Sequence, residues 1–422
     1  MAVTMPWGET IVVGMSLGFP VNVFTLNDAT TGVLDVGILD GALVAQPVTE
    51  FAQSVTIARG RSANQNETQA GVATIVLNNN DRRFDPINED SPYWDSATNS
   101  SGVQPRRFVE IISNGEHLFQ GAITAINISY ETQFSTCTIE ASDDFTRLAN
   151  MTIATAFTPP VEISGNRISE ILDLPEINYP IDQRVIETGG KDLQALQIDA
   201  GTNVLSYLQQ VALADDALLF MSRDGDIVYT DPLGTVWNYD IDATFTDSTA
   251  GVAIIPYTGI STITDQTFLY NRIITSNEGG TEYIKNDTAS QDDYGIQTYS
   301  LTGLLLENDS DAEQLATDLL AKYKDPVYRF DDMQFVFNSL STANQTVMAT
   351  LDIGSNIKIV RTFATGSPLT VELYYQVERV NHEITTGQHT CTIGLGSLKT
   401  LIYEFILSDA EYGILDASNA LA

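Results

Sequence analysis

The sequence is poor in the residues that do chemistry. Only two cysteines occur in 422 residues, Cys137 and Cys391, and neither has a second cysteine at metal-ligand spacing. Histidine is almost as scarce: His117, His382 and His389 are all there are, which leaves little material for a zinc site or a Ser-His-Asp triad. His382 and His389 lie in a segment that reads as strand, turn, strand, and no HExxH pattern exists. Each histidine reads as a satisfied surface or edge-strand residue. No metal and no cofactor are expected; calcium at oxygen-rich loops stays open, although EF-hand spacing is absent.

Long apolar runs are also missing. The longest near the start, Ile11 to Val23, is broken by glycines and by Pro20, so neither a membrane helix nor a membrane anchor is expected. Met1 to Met5 carry no basic residue ahead of that stretch and no small-residue cleavage site follows, so no secretory signal is expected. The protein is expected to be made and kept in a cytosol until something larger carries it out. Basic residues are outnumbered: 20 Lys and Arg stand against 55 Asp and Glu, for a formal net charge of −35. Such a surface repels nucleic-acid phosphates and anionic lipid, which argues against specific DNA readout. Two readings of the charge remain side by side: solubility or a salty habitat, and an acidic channel wall along which DNA slides without sticking. The three tryptophans, Trp7, Trp94 and Trp237, are too scattered to form an evident sugar platform.

What the chain does have is strand pattern. Phe51 to Ala58, Ala73 to Leu77, Phe108 to Ile112, Gly121 to Ile128 and Thr136 to Ala141 alternate apolar and polar residues with period two. Residues 1–150 are therefore chiefly β, interrupted by the polar stretch Asn78 to Pro105, whose Asp85-Pro86, Ser91-Pro92 and Asn-Ser-Ser-Gly steps mark turns. A loop of that length in a compact domain is usually functional or interface-forming.

From about residue 151 a helical rhythm appears, over Gly165 to Leu174 and more strongly over Thr202 to Ala214. Ala217 to Met221 and Ile227 to Thr230 flank Asp224-Gly225, a tight-hairpin signal. Residues 151–235 thus read as a small α+β module. Residues 236–400 return to strands at Arg272 to Thr275, Gln334 to Phe337, Asn356 to Val360 and Val371 to Val377. One helix near 310–324 interrupts them, opened by Ser310-Asp311-Ala312-Glu313 as a capping box and stopped by Asp325-Pro326. Residues 401–422 form a C-terminal extension.

The chain also repeats itself. Ile123, Ile126, Asn127, Thr132 and Thr136-Cys137-Thr138-Ile139 align without a gap to Val377, Val380, Asn381, Thr386 and Thr390-Cys391-Thr392-Ile393. If this is duplication, the two cysteines occupy equivalent places in two units and do not form a disulfide with each other. A second echo joins the ends: Phe24 to Asp35 and Phe405 to Asp416 share seven of twelve positions. This reads either as an edge strand in its own domain or as a strand that adds to a neighbour's sheet.

Acidic pairs are the only catalytic candidates. Asp143-Asp144, Asp215-Asp216 and Asp292-Asp293 could invite a glycosidase reading, but so acidic a chain produces such pairs anyway, and adjacent residues on a strand point to opposite faces. No catalytic residue is assigned and no enzyme is expected.

Several stretches, in order, resemble the minor tail or tail-hub proteins of long-tailed phages. They are Ile57-Ala-Arg59-Gly60-Arg61-Ser62; Gln69-Ala70-Gly71 running on to Asn78-Asn79-Asn80-Asp81-Arg82-Arg83-Phe84-Asp85-Pro86; Ser91-Pro92-Tyr93; Pro105-Arg106-Arg107; and Leu118-Phe119-Gln120-Gly121. Further on come Asp199-Ala200-Gly201-Thr202, Asp352-Ile353-Gly354-Ser355 and the run from Tyr375 to Ile384. Each motif is weak alone; together they cover most of the chain.

The resemblance implies a mainly β fold with α+β insertions: two tail-tube-like β-barrels, in 1–150 and 236–400, plus smaller α+β modules. It implies a homotrimeric hub at the tip of a virion's tail, assembled in the host cytoplasm. Its partners would be a distal tail protein or tail-tube ring, a tip or central-fibre protein, and genomic DNA passing through without specific binding. The alternatives are a distal tail or other minor tail protein, or a host-surface binding module of the tip. Candidate interface anchors are Phe84, Tyr93 and Trp94 in the long loop and Phe405 and Leu407 near the C-terminus. Extensions carrying peptidase or muramidase modules, found on some related tail proteins, are not expected in the stretch after residue 400.

Overall fold

Alternation of β-branched and polar residues builds the first third of the chain. The structure, a computed structural model, describes residues 3–4, 10–17, 45–61, 68–96, 98–132, 134–230, 241–247, 254–263, 268–326, 329–397, 403–404 and 419–420. Six strands of six residues or more come first: β1 (Thr10–Met15), β2 (Ala52–Gly60), β3 (Gln69–Asn78), β4 (Phe108–Ser113), β5 (Glu116–Tyr130) and β6 (Ser135–Ser142). They lie side by side, all antiparallel, in the order β1-β4-β5-β6-β3-β2. Val55 and Ile57, Ala73, Ile75 and Leu77, and Cys137 and Ile139 point into the core, each large aliphatic contributing about 1.5–3 kcal/mol by its burial. Thr56 and Ala58 between them face solvent.

An α+β module follows: α1 (Phe145–Ala149), α2 (Ser164–Leu172), β7 (Arg184–Ile186), α3 (Val204–Ala214), and the hairpin β8 (Leu218–Met221) and β9 (Ile227–Thr230). Gly225 takes φ +83° in the hairpin turn, the conformation that Asp-Gly favours. Then come β10 (Ala243–Thr246) and β11 (Gly259–Ile263), and a second module: β12 (Arg272–Asn277), β13 (Tyr283–Asn286), α4 (Thr288–Tyr294), β14 (Thr298–Leu304) and α5 (Asp309–Tyr323). The chain returns to the large sheet with β15 (Arg329–Val336), α6 (Thr342–Thr350), β16 (Asn356–Thr362), β17 (Thr370–Thr385) and β18 (His389–Ser397).

Strands of the second half sit in the order β11-β15-β18-β17-β16-β10. Five of them repeat the first half strand for strand. Cys137 is opposite Ile128, and Cys391 opposite His382; Thr138 is opposite Asn127, and Thr392 opposite Asn381. Even the one-residue bulge recurs, at Thr124 in β5 and at Glu378 in β17. The outer neighbours keep register too: Val109 faces Gly121 as Ile357 faces Tyr375. The repeat ends at the next strand, since β1 runs antiparallel to β4 whereas β10 runs parallel to β16.

Two expectations need correction. No closed barrel is found among the described residues: the strands of the two halves form one continuous, branched sheet of 15 strands. The reason lies in the length of β17. Its first part, Thr370 to Gln376, pairs with β16, and the rest of that same edge, Arg379 to Thr385, is taken by β2 of the first half. Second, Arg272–Asn277 and the helix at 309–323 do not belong to the second half's sheet. β12, β13 and β14 form their own small sheet, and Ile273, Leu306, Leu315 and Leu319 share a core with Phe145, Ile168, Leu208 and Val211 of the first module. Both modules therefore pack as one body beside the large sheet. The helix starts at Asp309 with Asn308 as N-cap rather than Ser310, and Asn308 donates to the Asp311 carboxylate at 3.1 Å.

Candidate functional site

The seam between the two repeats combines a backbone strand pairing with a network of ion pairs. β2 runs antiparallel to β17 from Ser54 opposite Thr385 to Gly60 opposite Arg379. Gly60 adopts φ +105°, and a Cβ there would lie 2.1 Å from the carbonyl oxygen of Glu378; only glycine admits this approach. The Arg61 amide then donates to that same carbonyl at 3.0 Å, and its guanidinium pairs with the Glu378 carboxylate at 2.9 Å.

Arg59, one residue earlier, points the other way and is buried. Its Nη2 donates to Asp352 Oδ1 at 2.5 Å and to the Met221 carbonyl at 3.1 Å, while Nη1 reaches the Leu118 carbonyl at 3.5 Å. The other Asp352 oxygen accepts the Arg223 amide at 2.7 Å, and Arg223 Nη1 donates to Glu116 and to the carbonyls of His117 and Ala349. One buried cation thus ties together the first repeat, the α+β module and the second repeat. His382, opposite Ile57, completes the seam: its Nδ1 lies 2.9 Å from His389 Nε2, and His389 stacks on Phe337 at 4.2 Å. Burial, followed by the neighbouring His389 and Arg59, pushes the His382 pKa well below its ordinary value. It is a core histidine, not the surface or edge residue expected from sequence.

The solvent-facing side of the seam is a shallow groove lined by Thr56, Thr74, Asn381, Glu383, Thr390 and Thr392. These polar side chains share the groove with Ala58 and with Val72, which is 48% exposed. Arg379, also on this side of β17, is held by Asp332 at 2.5 Å.

Among the candidate anchors, Phe84 and Tyr93 sit inside their own chain. Phe84 is fully buried, stacked on Tyr93 at 5.6 Å and edge-on to Phe51 at 5.8 Å. The loop around them is a series of tight turns: Asn79 Oδ1 accepts the Phe84 amide, Arg82 pairs with Asp85 at 2.8 Å, and the Tyr130 hydroxyl donates to Asp85 at 2.5 Å. Burial works against ionisation of Asp85, but Tyr130 and Arg82 outweigh it and hold the pKa below the usual value. The two aromatics therefore shape the loop from within. Trp94 is half-buried in a two-residue pairing with Ser101, while Ile87 at the loop surface is 77% exposed. Phe405 and Leu407, and the echo between 24–35 and 405–416, lie outside the described residues.

One carboxylate from each of the first two acidic pairs is put to internal use. Asp143 accepts the amides of Gly71 and Phe145 at 2.6 and 3.1 Å, and burial raises its pKa to about 7. Asp215 accepts from Ser164 Oγ at 2.5 Å and Tyr229 OH at 2.7 Å in the module's interior. Asp292 and Asp293 lie on α4. Cys137 and Cys391 are both buried and form no disulfide; burial above all raises the Cys137 pKa to about 12, which makes it a poor nucleophile.

No protein-family model matches the sequence, and no curated protein matches it. Solved structures do. The chain is similar to the tail protein from Neisseria meningitidis MC58 with a TM-score of 0.60 at 10% identity, over 92% of this chain and 96% of that one. It is similar to the 43 kDa tail protein of prophage MuSo2 from Shewanella oneidensis with a TM-score of 0.55 at 11% identity, over 92% and 98%. The chain has the fold of these tail proteins. Because the likeness spans nearly the whole of each partner, it includes the duplicated sheet and both modules rather than one common motif.

Proposed function

We propose that this protein is a structural component of a phage tail tip: a homotrimeric hub, carried in the virion and assembled in the host cytoplasm. On this reading it joins a hexameric tail tube or distal tail ring on one side to a tip or central-fibre protein on the other, and forms part of the DNA channel. The observation that carries the reading is the seam, where two sheets of the same register are joined edge to edge within one chain. Three chains would then offer six equivalent lobes to a sixfold ring while keeping threefold symmetry towards the tip.

The role is mechanical. The fold shared with two tail proteins supports a tail component, and the internal use of the buried carboxylates supports a non-enzymatic part. The groove of threonines, Asn381 and Glu383 supports a channel wall: no lysine or arginine lines it, and Arg379 beside it is paired with Asp332, so passing phosphates find little to bind and DNA stays mobile. The test is single-particle imaging of the purified protein at high concentration. A threefold ring with six similar lobes around a hole is expected. A sixfold ring with one lobe set per chain would overturn the hub reading in favour of a distal tail ring.

A further inference from the structure

The seam fills one acceptor edge on each chain, while its twin has no strand partner among the described residues. In the second repeat, β17 beyond its bulge is covered by β2, and Val380, His382 and Ile384 are 3%, 4% and 4% exposed. In the first repeat the equivalent residues are Ile126, Ile128 and Tyr130 on β5. They pair with β6 on one side, but on the other side β4 stops at Ala122, and no described strand takes up the edge from Ala125 to Tyr130. Ile126 and Ile128 are accordingly only half-buried, and Tyr130 is 57% exposed.

The donor strand is duplicated as well. Ser54 and Val55 of β2 lie opposite Val76 and Ile75, which lie opposite Thr138 and Ile139. In the second repeat Gly259 and Ile260 of β11 lie opposite Gln334 and Met333, which lie opposite Thr392 and Ile393. β11 is therefore the counterpart of β2. Its outer edge has no strand partner among the described residues, and Ser261 and Thr262 are exposed. Among the described residues, one chain thus carries an unpaired donor edge in one repeat and an unpaired acceptor edge in the other. Unpaired edges of this kind are ones that native proteins cover.

We infer that a second copy of this chain supplies Gly259–Ile263 as an antiparallel strand to the Ala125–Tyr130 edge of the first, repeating between chains the seam that β2 and β17 make within one. The register follows from the intrachain seam, where Thr385, Ile384 and Glu383 face Ser54, Val55 and Thr56. Glu131, Tyr130 and Ser129 of one copy face Gly259, Ile260 and Ser261 of the next. The contact is head-to-tail, so it propagates until it closes; closure at three copies rests on the hub reading, whereas the strand pairing does not.

Disulfide trapping tests it. Two double variants are made, Ser129→Cys with Ser261→Cys, and Tyr130→Cys with Ile260→Cys. Directly opposed residues alternate between hydrogen-bonded and non-hydrogen-bonded pairs, and the latter bring side chains closer, so at least one of these neighbouring pairs is placed to cross-link. Cys137 and Cys391 are buried and act as silent background. Expected on a non-reducing gel is a ladder ending at three chains, absent from each single variant and from the misregistered pair Ser129→Cys with Ile263→Cys. Sedimentation of the unmodified protein separates the two claims. Trimers without cross-links from either pair overturn the strand pairing and leave the trimer, whereas monomers without cross-links overturn both. A ladder running past three chains supports the pairing and contradicts the threefold hub.

Discussion

Arg59 and Asp352, 293 residues apart in sequence, meet at 2.5 Å where the two repeats join. The guanidinium is almost wholly shielded, with 4% of the side chain exposed, while the carboxylate keeps 18%. A buried pair of this kind is a weak source of net stability but a costly one to break, since removing one partner strands the other.

Arg59→Ala is therefore expected to destabilise the protein by about 3–5 kcal/mol, because it removes the cation that balances the Asp352 carboxylate and the side-chain donor to the Met221 carbonyl. Arg61→Ala, two residues on and paired at the more open rim, is expected to cost under about 1 kcal/mol. Urea denaturation of both variants gives the comparison; equal losses would contradict the role assigned to Arg59.

Gly60→Ala is expected to loosen the seam more than an ordinary left-handed glycine substitution. Gly115, at φ +92°, has open space around its missing Cβ, so Gly115→Ala carries only the conformational cost of about 1–2 kcal/mol. Gly60→Ala adds a collision with the Glu378 carbonyl. Amide exchange should rise selectively along β2 and Arg379 to Thr385 of β17 in Gly60→Ala and not in Gly115→Ala.

Phe84→Ala is expected to cost about 3–5 kcal/mol in chain stability, as for a fully buried phenylalanine. Ile87→Ser, at the exposed surface of the same loop, should stay within about 0.5 kcal/mol. Thermal melts at a concentration where the chain is monomeric distinguish an internal strut from an assembly anchor, since an anchor would leave the monomer's stability unchanged.

Acid should weaken the seam through His382. Its folded-state pKa lies well below the ordinary value of 6.5 because burial disfavours the imidazolium. Unfolded chains then bind a proton that folded chains refuse. The stabilisation is complete above about pH 6.5 and is lost as pH falls from there towards the folded pKa. His382→Asn should flatten the melting-temperature profile between pH 6.5 and 5 relative to the unsubstituted protein; parallel profiles would contradict the assignment.

Much of this architecture was legible in the sequence because half-buried strands write their register into period-two patterning. The hairpin echo from Ile123 to Ile139 and from Val377 to Ile393 matched the structure down to residue pairing. What patterning could not convey was which core each element joins. Arg272–Asn277 has the same alternation as a strand of the large sheet, yet it packs with α5 in the other core. Phe84 and Tyr93 were visible as large aromatics in a polar loop, but sequence gives no sign that they face each other. Arg59 stood in a quoted motif, and so did Asp352. Their meeting is a long-range consequence of β2 crossing to β17, which no local signal carries. His382 was similarly obscure, because a lone histidine on a strand reads the same whether a neighbouring strand covers it or not.

The most direct measurement is the sedimentation mass of the full-length protein across a concentration series. A single assembled species of three chains is predicted, its fraction rising with concentration and independent of any other tail component. A species of six chains, or a monomer persisting at the highest concentration, would contradict the hub account.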